Sequence, residues 1–223
     1  MVRDTFLKNF AEHIQANKVG LVIVDVQNDF CHPEGAFSRM NCDLSHIQNA
    51  LENLVPFING WRSFGLPVIL VKTIHGDWSN SPSWQRRLGG ILRQNPVCLS
   101  GSWGSEFCRI TATGSDYVVI KHRFSSFLGT DLDLVLKSRG IETIVTAGVA
   151  TNVCVESTIR DAVSYNYNVV IIEDCCGAFS SSEHGAALQN IRKYFGVVMT
   201  SVHILEILRN LETGHSMGSY SDG

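Results

Sequence analysis

Three residues able to do chemistry stand where a hydrophobic run gives way to a loop. Asp25 ends GLVIVD at 20–25, Lys121 ends DYVVIK at 116–121, and Cys154 follows ETIVTAG at 142–148 by way of VATNVC. A thiol supplies a nucleophile, a carboxylate accepts its proton, and a lysine holds the acceptor in place; together they could run acyl transfer without a histidine. Cys154 falls in the first turn of an expected helix, where unpaired N–H groups and the positive helix end favour a thiolate. The same N–H groups, with the amide of Ala150, could hold the oxyanion of a tetrahedral intermediate. Thr151 or Asn152 is the expected cap of that helix. Taken alone, Cys154 is equally a small buried hydrophobe, and Asp25 with Lys121 equally a buried ion pair with no chemical role.

The elements that must position them follow from the pattern of the chain. Six β-branched runs, at 19–25, 67–72, 117–121, 142–147, 168–173 and 196–200, alternate with helix-length periodic segments at about 43–64, 130–139, 152–165 and 181–194. Such alternation implies right-handed crossovers and a mostly parallel sheet covered on both faces. The expected fold is therefore α/β, a three-layer α/β/α domain on a mostly parallel six-stranded Rossmann-like sheet. With the strands of Asp25 and Lys121 as neighbours, all three side chains converge beyond the carboxyl edge of the sheet, where open α/β folds place ligands. Phe64-Gly65-Leu66-Pro67 and Ser138-Arg139-Gly140 read as helix stops. The irregular stretch 75–115, rich in Gly, Ser, Pro and Trp, should form a lid or pocket wall. Residues 1–213 read as one domain and 214–223 as a flexible tail.

Composition narrows the partners. With 44% hydrophobic and 17% charged residues and a net charge of −3, the chain reads as a soluble globule without a basic surface, so neither nucleic acid nor a membrane is an expected partner. The N-terminus carries charges throughout and lacks a secretory apolar stretch, which points to a cytoplasmic protein. Seven cysteines with no CxxC pair read as free thiols rather than as a disulfide framework or zinc site. Cys175 and Cys176 read as packing thiols near the site rim, and Arg160 and Asp161 as structural. The loop DVQNDFCHPEG after the first strand lacks the G-x-G-x-x-G pattern, so dinucleotide binding loses its main warrant. No cofactor is expected.

Three blocks taken together carry a family resemblance: DVQNDF at 25–30, KHRFSSFLGTDLDLVL at 121–136 and GVATNVCVESTIRDA at 148–162. The chain resembles the isochorismatase-like cysteine hydrolases, which include nicotinamidases, N-carbamoylsarcosine amidase, ureidoacrylate amidase and biuret hydrolase. The resemblance spans about residues 18–208. It implies Cys154 as nucleophile, Asp25 as its base, Lys121 as the group that orients and stabilises the pair, the amides of Ala150 and Cys154 as the oxyanion hole, and a cis peptide between Val149 and Ala150. It also implies a homodimer or homotetramer and hydrolysis of a carbon–nitrogen bond in a small amide or ureide through a thioester. The stretch Lys72-Thr73-Ile74-His75-Gly76-Asp77-Trp78 departs from the metal-binding Asp-x-His of nicotinamidases, so no metal is expected.

Candidate substrate-binding residues are Phe30, Asn28, Trp84 and Phe127, with Trp78 and Trp103 as further wall candidates. Asn28 either binds substrate or braces its loop. His184 is expected to cap or pack, with Ser181 or Ser182 the cap of its helix. Three alternatives stay open: hydrolysis of another acyl bond by the same thiol, a metal-assisted nicotinamidase, and a non-catalytic binding module on the same fold.

Overall fold

The structure is a computed structural model and describes residues 10–87 and 94–213. The expected tail at 214–223, and residues 88–93 of the irregular stretch, lie outside the described residues. Six strands form one parallel sheet: β1 (Val19–Val24), β2 (Val68–Thr73), β3 (Tyr117–Lys121), β4 (Thr143–Val149), β5 (Asn168–Gly177) and β6 (Val197–Met199). Their spatial order is β3-β2-β1-β4-β5-β6. Every residue of β1 and β4 is buried, as strands covered on both faces must be, which is why both read as unbroken apolar runs rather than alternating ones.

The main helices are α1 (Ser45–Ser63), α2 (Leu132–Ser138), α3 (Glu156–Ser164), α4 (Ser181–Asn190) and α5 (Ser201–Glu212). Ile47, Leu51, Leu54, Ile58 and Trp61 recur at helical spacing along α1 and are all buried, so one stripe of that helix docks on the sheet. The chain winds from β1 to β3 in one direction and from β4 to β6 in the other. Right-handed crossovers then place α1 on one face and α2, α3 and α4 on the opposite face. α5, which the apolar pattern had not marked out, follows β6 and packs against α1.

The strand order corrects one expectation. β3 is not the neighbour of β1, because β2 lies between them. Strands are about 4.8 Å apart, so a group on β3 must reach across roughly two spacings to meet one on β1. Only a long side chain does so, and the residue at that position is lysine.

The direction of winding reverses between β1 and β4, which are paired from Val19↔Thr143 to Val24↔Gly148. The carboxyl ends of these two strands form the switch-point crevice of an open parallel sheet. Gly148 allows the close approach there: its φ is +122°, and a Cβ at this position would lie 2.1 Å from the carbonyl oxygen of Val24.

Candidate active site

Asp25 follows directly on β1 and Lys121 ends β3, and both side chains are fully buried. Asp25 itself adopts a left-handed backbone conformation, φ +55°, which aspartate tolerates better than most residues. Its Oδ2 lies 2.7 Å from Lys121 Nζ. That contact is a charge pair off the hydrogen-bond axis, and Oδ2 has no hydrogen-bond partner, so it can still accept a proton.

Thr73, the last residue of β2, fills the gap between the two charged groups. Its hydroxyl donates to Asp25 Oδ1 at 3.0 Å and accepts from Lys121 Nζ at 2.8 Å. Lys121 Nζ also donates to the Arg123 carbonyl at 2.9 Å. Thr73 is in turn fixed by Gln27, which is wholly buried. Gln27 Oε1 accepts from the Thr73 amide at 2.7 Å, and its Nε2 donates to the Thr73 and Ser105 carbonyls, each at 2.8 Å.

Cys154 approaches from β4. The Val149–Ala150 peptide is cis, and residues Thr151–Val155 form a π-turn that runs into α3. The Ala150 carbonyl accepts from the amides of Val153 and Val155. The cap is therefore Ala150, without a side-chain hydrogen bond, and not Thr151 or Asn152. Thr151 is buried and turns its hydroxyl to His184 Nδ1 at 2.9 Å, while the His184 ring rests on His46 with centroids 4.5 Å apart. His184 thus packs behind the turn, and Ser180, rather than Ser181 or Ser182, caps α4 through the Glu183 amide.

The Cys154 thiol is coupled by charge to both Lys121 and Asp25. Burial pushes the thiol well above its ordinary pKa; Lys121 pulls it down and Asp25 pushes it up. Burial thus opposes the thiolate that the helix end favours, and Lys121 offsets part of that opposition. Burial also pulls the Lys121 ammonium down, but Asp25 and then Cys154 hold it above its usual value, so the lysine stays charged. A neutral thiol beside a carboxylate–ammonium pair carries no net charge. Moving the thiol proton to Asp25 leaves the total at zero, which a buried site can accommodate.

Cys154, Lys121 and Thr73 form part of the wall of a cavity of about 610 Å³, which also includes Phe30, Trp84 and Ala150, while Asp25 is fully buried and does not line it. Phe30 belongs to an aromatic row, 5.4 Å from Phe37, which stacks on Phe179 at 4.8 Å. Trp84 belongs to a second cluster with Phe124 at 5.0 Å and His75 at 5.7 Å. The irregular stretch thus supplies pocket wall, including His75, Asn80, Trp84 and Arg87.

Other candidates stand elsewhere. Asn28 does not line the cavity; its Nδ2 donates to the Trp103 carbonyl at 2.9 Å, so it braces the loop. Phe127 is also absent from the wall, because it packs in the core against Tyr165 and Tyr167. Trp78 is fully exposed, and Trp103 packs edge-on against His32. Cys175 and Cys176 are core residues of β5 and not rim thiols, and Arg160 pairs with Glu156 across a helix turn. Thr73, Gln27, His75, Arg87 and Arg123 escaped the sequence reading. Thr73 closes β2 at the level of Lys121, its register partner on β3, a pairing that only the strand order shows.

Among the described residues, no three of His, Cys, Asp and Glu converge in a way that could hold a metal ion. His75 and Asp77 share the cavity wall without a third such ligand beside them.

Comparison with known proteins bears on this arrangement. The Isochorismatase domain profile matches residues 19–202, which takes in all six strands and the residues of the candidate site. The chain belongs to the isochorismatase family. Curated relatives include the ureidoacrylate amidohydrolase RutB of Methylobacterium radiotolerans, 33% identical over 80% of this chain and 74% of the relative. RutB of Acinetobacter baylyi is 31% identical over 86% of this chain and 85% of its own. Among solved structures, a cysteine hydrolase from Pseudomonas syringae pv. phaseolicola superposes with a TM-score of 0.75 at 26% identity, covering 87% of this chain and 94% of its own. N-carbamoylsarcosine amidase from Thermoplasma acidophilum gives 0.66 at 30% identity, covering 82% and 96%.

Proposed function

We propose that this isochorismatase-family chain is a cysteine-dependent amidohydrolase that cleaves a carbon–nitrogen bond of a small non-peptide amide or ureide. The observation that carries the reading is that Lys121 and Cys154 line one cavity while the buried Asp25, whose Oδ2 has no hydrogen-bond partner, lies 2.7 Å from Lys121 Nζ. The amidohydrolase and amidase relatives support the same bond type.

The chemistry follows from the charges. Asp25 takes the Cys154 proton as the sulfur attacks the substrate carbonyl, forming the C–S bond while the carbonyl electrons move to oxygen. The amides of Ala150 and Cys154 receive that oxyanion. Lys121 stabilises the thiolate and holds Asp25 in place. The intermediate collapses as the C–N bond breaks, and protonated Asp25 gives its proton to the departing nitrogen. Water then attacks the thioester with Asp25 again as base, the C–S bond breaks, and the returning proton restores the thiol.

Ammonia release from nicotinamide, N-carbamoylsarcosine, ureidoacrylate, biuret, maleamate and simple aliphatic amides, run beside Cys154→Ala, tests the proposal. We expect turnover of at least one member by the native protein and none by the variant. Turnover that survives in Cys154→Ala would overturn it.

A further inference from the structure

Arg87 and Arg123 both line the cavity, and both lie on the cluster formed by Trp84 and Phe124. The Arg123 guanidinium carbon is 4.7 Å from the centre of the Trp84 ring; that of Arg87 is 5.4 Å from Trp84 and 5.0 Å from Phe124. Two like charges on one aromatic shelf repel each other, and an anion between or beside them would relieve that repulsion. None of the ion pairs among the described residues includes either arginine. By contrast, Arg62, Arg109 and Arg160 each hold a carboxylate within 2.7 Å.

Acids on the same cavity wall do not meet this need. Glu183 accepts from the Ser180 hydroxyl at the start of α4, and Asp77 lies on an exposed turn; neither pairs with Arg87 or Arg123. Arg123 is tied to the reacting groups by its backbone, since its carbonyl accepts from Lys121 Nζ, and one guanidinium nitrogen donates to the His122 carbonyl at 2.6 Å. The remaining guanidinium N–H groups stay available in the planar fork that suits a carboxylate. The cationic field is felt nearby: burial first, then Lys121, His122 and Arg123, lower the His75 pKa to about 4, so His75 is neutral near neutral pH and does not compete for the anion.

We infer that Arg123 and Arg87, on the Trp84–Phe124 shelf, form an anion subsite, and that the substrate is an amide or ureide carrying a carboxylate away from the scissile carbonyl. The inference deepens the amidohydrolase reading and rests on it for the scissile bond, but not for binding. Arg123 and Arg87 are specificity residues in this scheme, acting on the end of the substrate that does not react.

The test uses matched pairs: 3-ureidoacrylate with its methyl ester, and N-carbamoyl-β-alanine with its methyl ester. We expect kcat/KM to favour the acid over the ester, and the acid-to-ester ratio to fall about 10- to 100-fold in Arg123→Gln, the loss expected of a charge-assisted contact, mainly through KM. Arg123→Lys should recover part of that ratio, and Arg87→Gln should lower it in the same direction. Calorimetric binding of the two acids to Cys154→Ser separates this inference from the chemistry. Acid binding that weakens in Cys154→Ser/Arg123→Gln, with no turnover of any member by the native protein, supports the subsite and removes the amidase assignment. Turnover of acid and ester with the same kcat/KM, or a ratio unmoved by both arginine substitutions, overturns the subsite and leaves the amidase assignment standing. If Cys154→Ser binds neither acid and the native protein turns over neither, the subsite is also overturned.

Discussion

At the scale of single residues, the site depends on a hydroxyl as much as on charges. Thr73 donates to Asp25 and accepts from Lys121, which fixes the carboxylate's orientation and leaves Oδ2 without a hydrogen-bond partner. Thr73→Val keeps the shape and removes both bonds, so we predict kcat down about 10- to 100-fold and a loss of about 2 kcal/mol in urea unfolding. Intact activity in that variant would show that the ion pair orients itself. Asp25→Asn keeps the volume and removes the base; kcat should fall about 10²- to 10⁴-fold, with iodoacetamide alkylation of Cys154 slowed in step. Asp25, Lys121 and Cys154 were legible in the sequence because each is a reactive side chain at the end of an apolar run. Thr73 was not, because a threonine ending a β-branched strand has the same composition whether it is structural or orienting. Asn28 and Phe127 show the opposite error: closeness in sequence to Asp25 or Lys121 does not decide which way a side chain faces once the loop folds.

At the scale of elements, a buried polar frame holds the loops to the sheet. Gln27 bonds the Thr73 amide and the Thr73 and Ser105 carbonyls, while Asp29 accepts from the amides of Ala36 and Cys98. Gly104 lies against the Asp29 carboxylate, where a Cβ would sit 2.1 Å from Oδ2. Gln27→Leu would leave three buried backbone groups without partners, and we predict a loss of about 2–4 kcal/mol together with a raised KM. An unchanged unfolding midpoint would mean that water replaces the amide. All six strands and four of the main helices were legible from periodicity and turn residues. The order of strands was not, because a parallel sheet's neighbours depend on crossover direction, which leaves no local mark; hence β2 between β1 and β3 came as a correction. The irregular segment was legible as a pocket wall but not in detail, since side-chain contacts rather than a repeating pattern choose which of its residues face inward.

At the scale of the whole molecule, two half-buried histidines tie stability to pH. Burial lowers His75, as does Lys121, and burial with His46 lowers His184, each from 6.5 to about 4. The unfolded chain therefore binds more protons than the native one between about pH 6.5 and 4, so stability rises with pH in that window and is lost on acidification through it. We predict a lower urea midpoint at pH 5 than at pH 7, with the difference reduced in His75→Gln/His184→Gln. A midpoint indifferent to pH between those values would contradict the lowered pKa of both rings. The overall design places the candidate set at the switch point of a parallel sheet, where two central strands deliver the acid and the thiol from opposite windings of the chain.

The central claim is that Cys154 is acylated with Asp25 as its base, and the most direct measurement is rapid-quench intact-mass analysis of the protein with a turned-over substrate. The account predicts an acyl adduct that maps to Cys154, forms within the first turnover, decays at the rate of product release, and forms slowly in Asp25→Asn. Steady turnover with no adduct on Cys154, or an adduct on another cysteine, would contradict it.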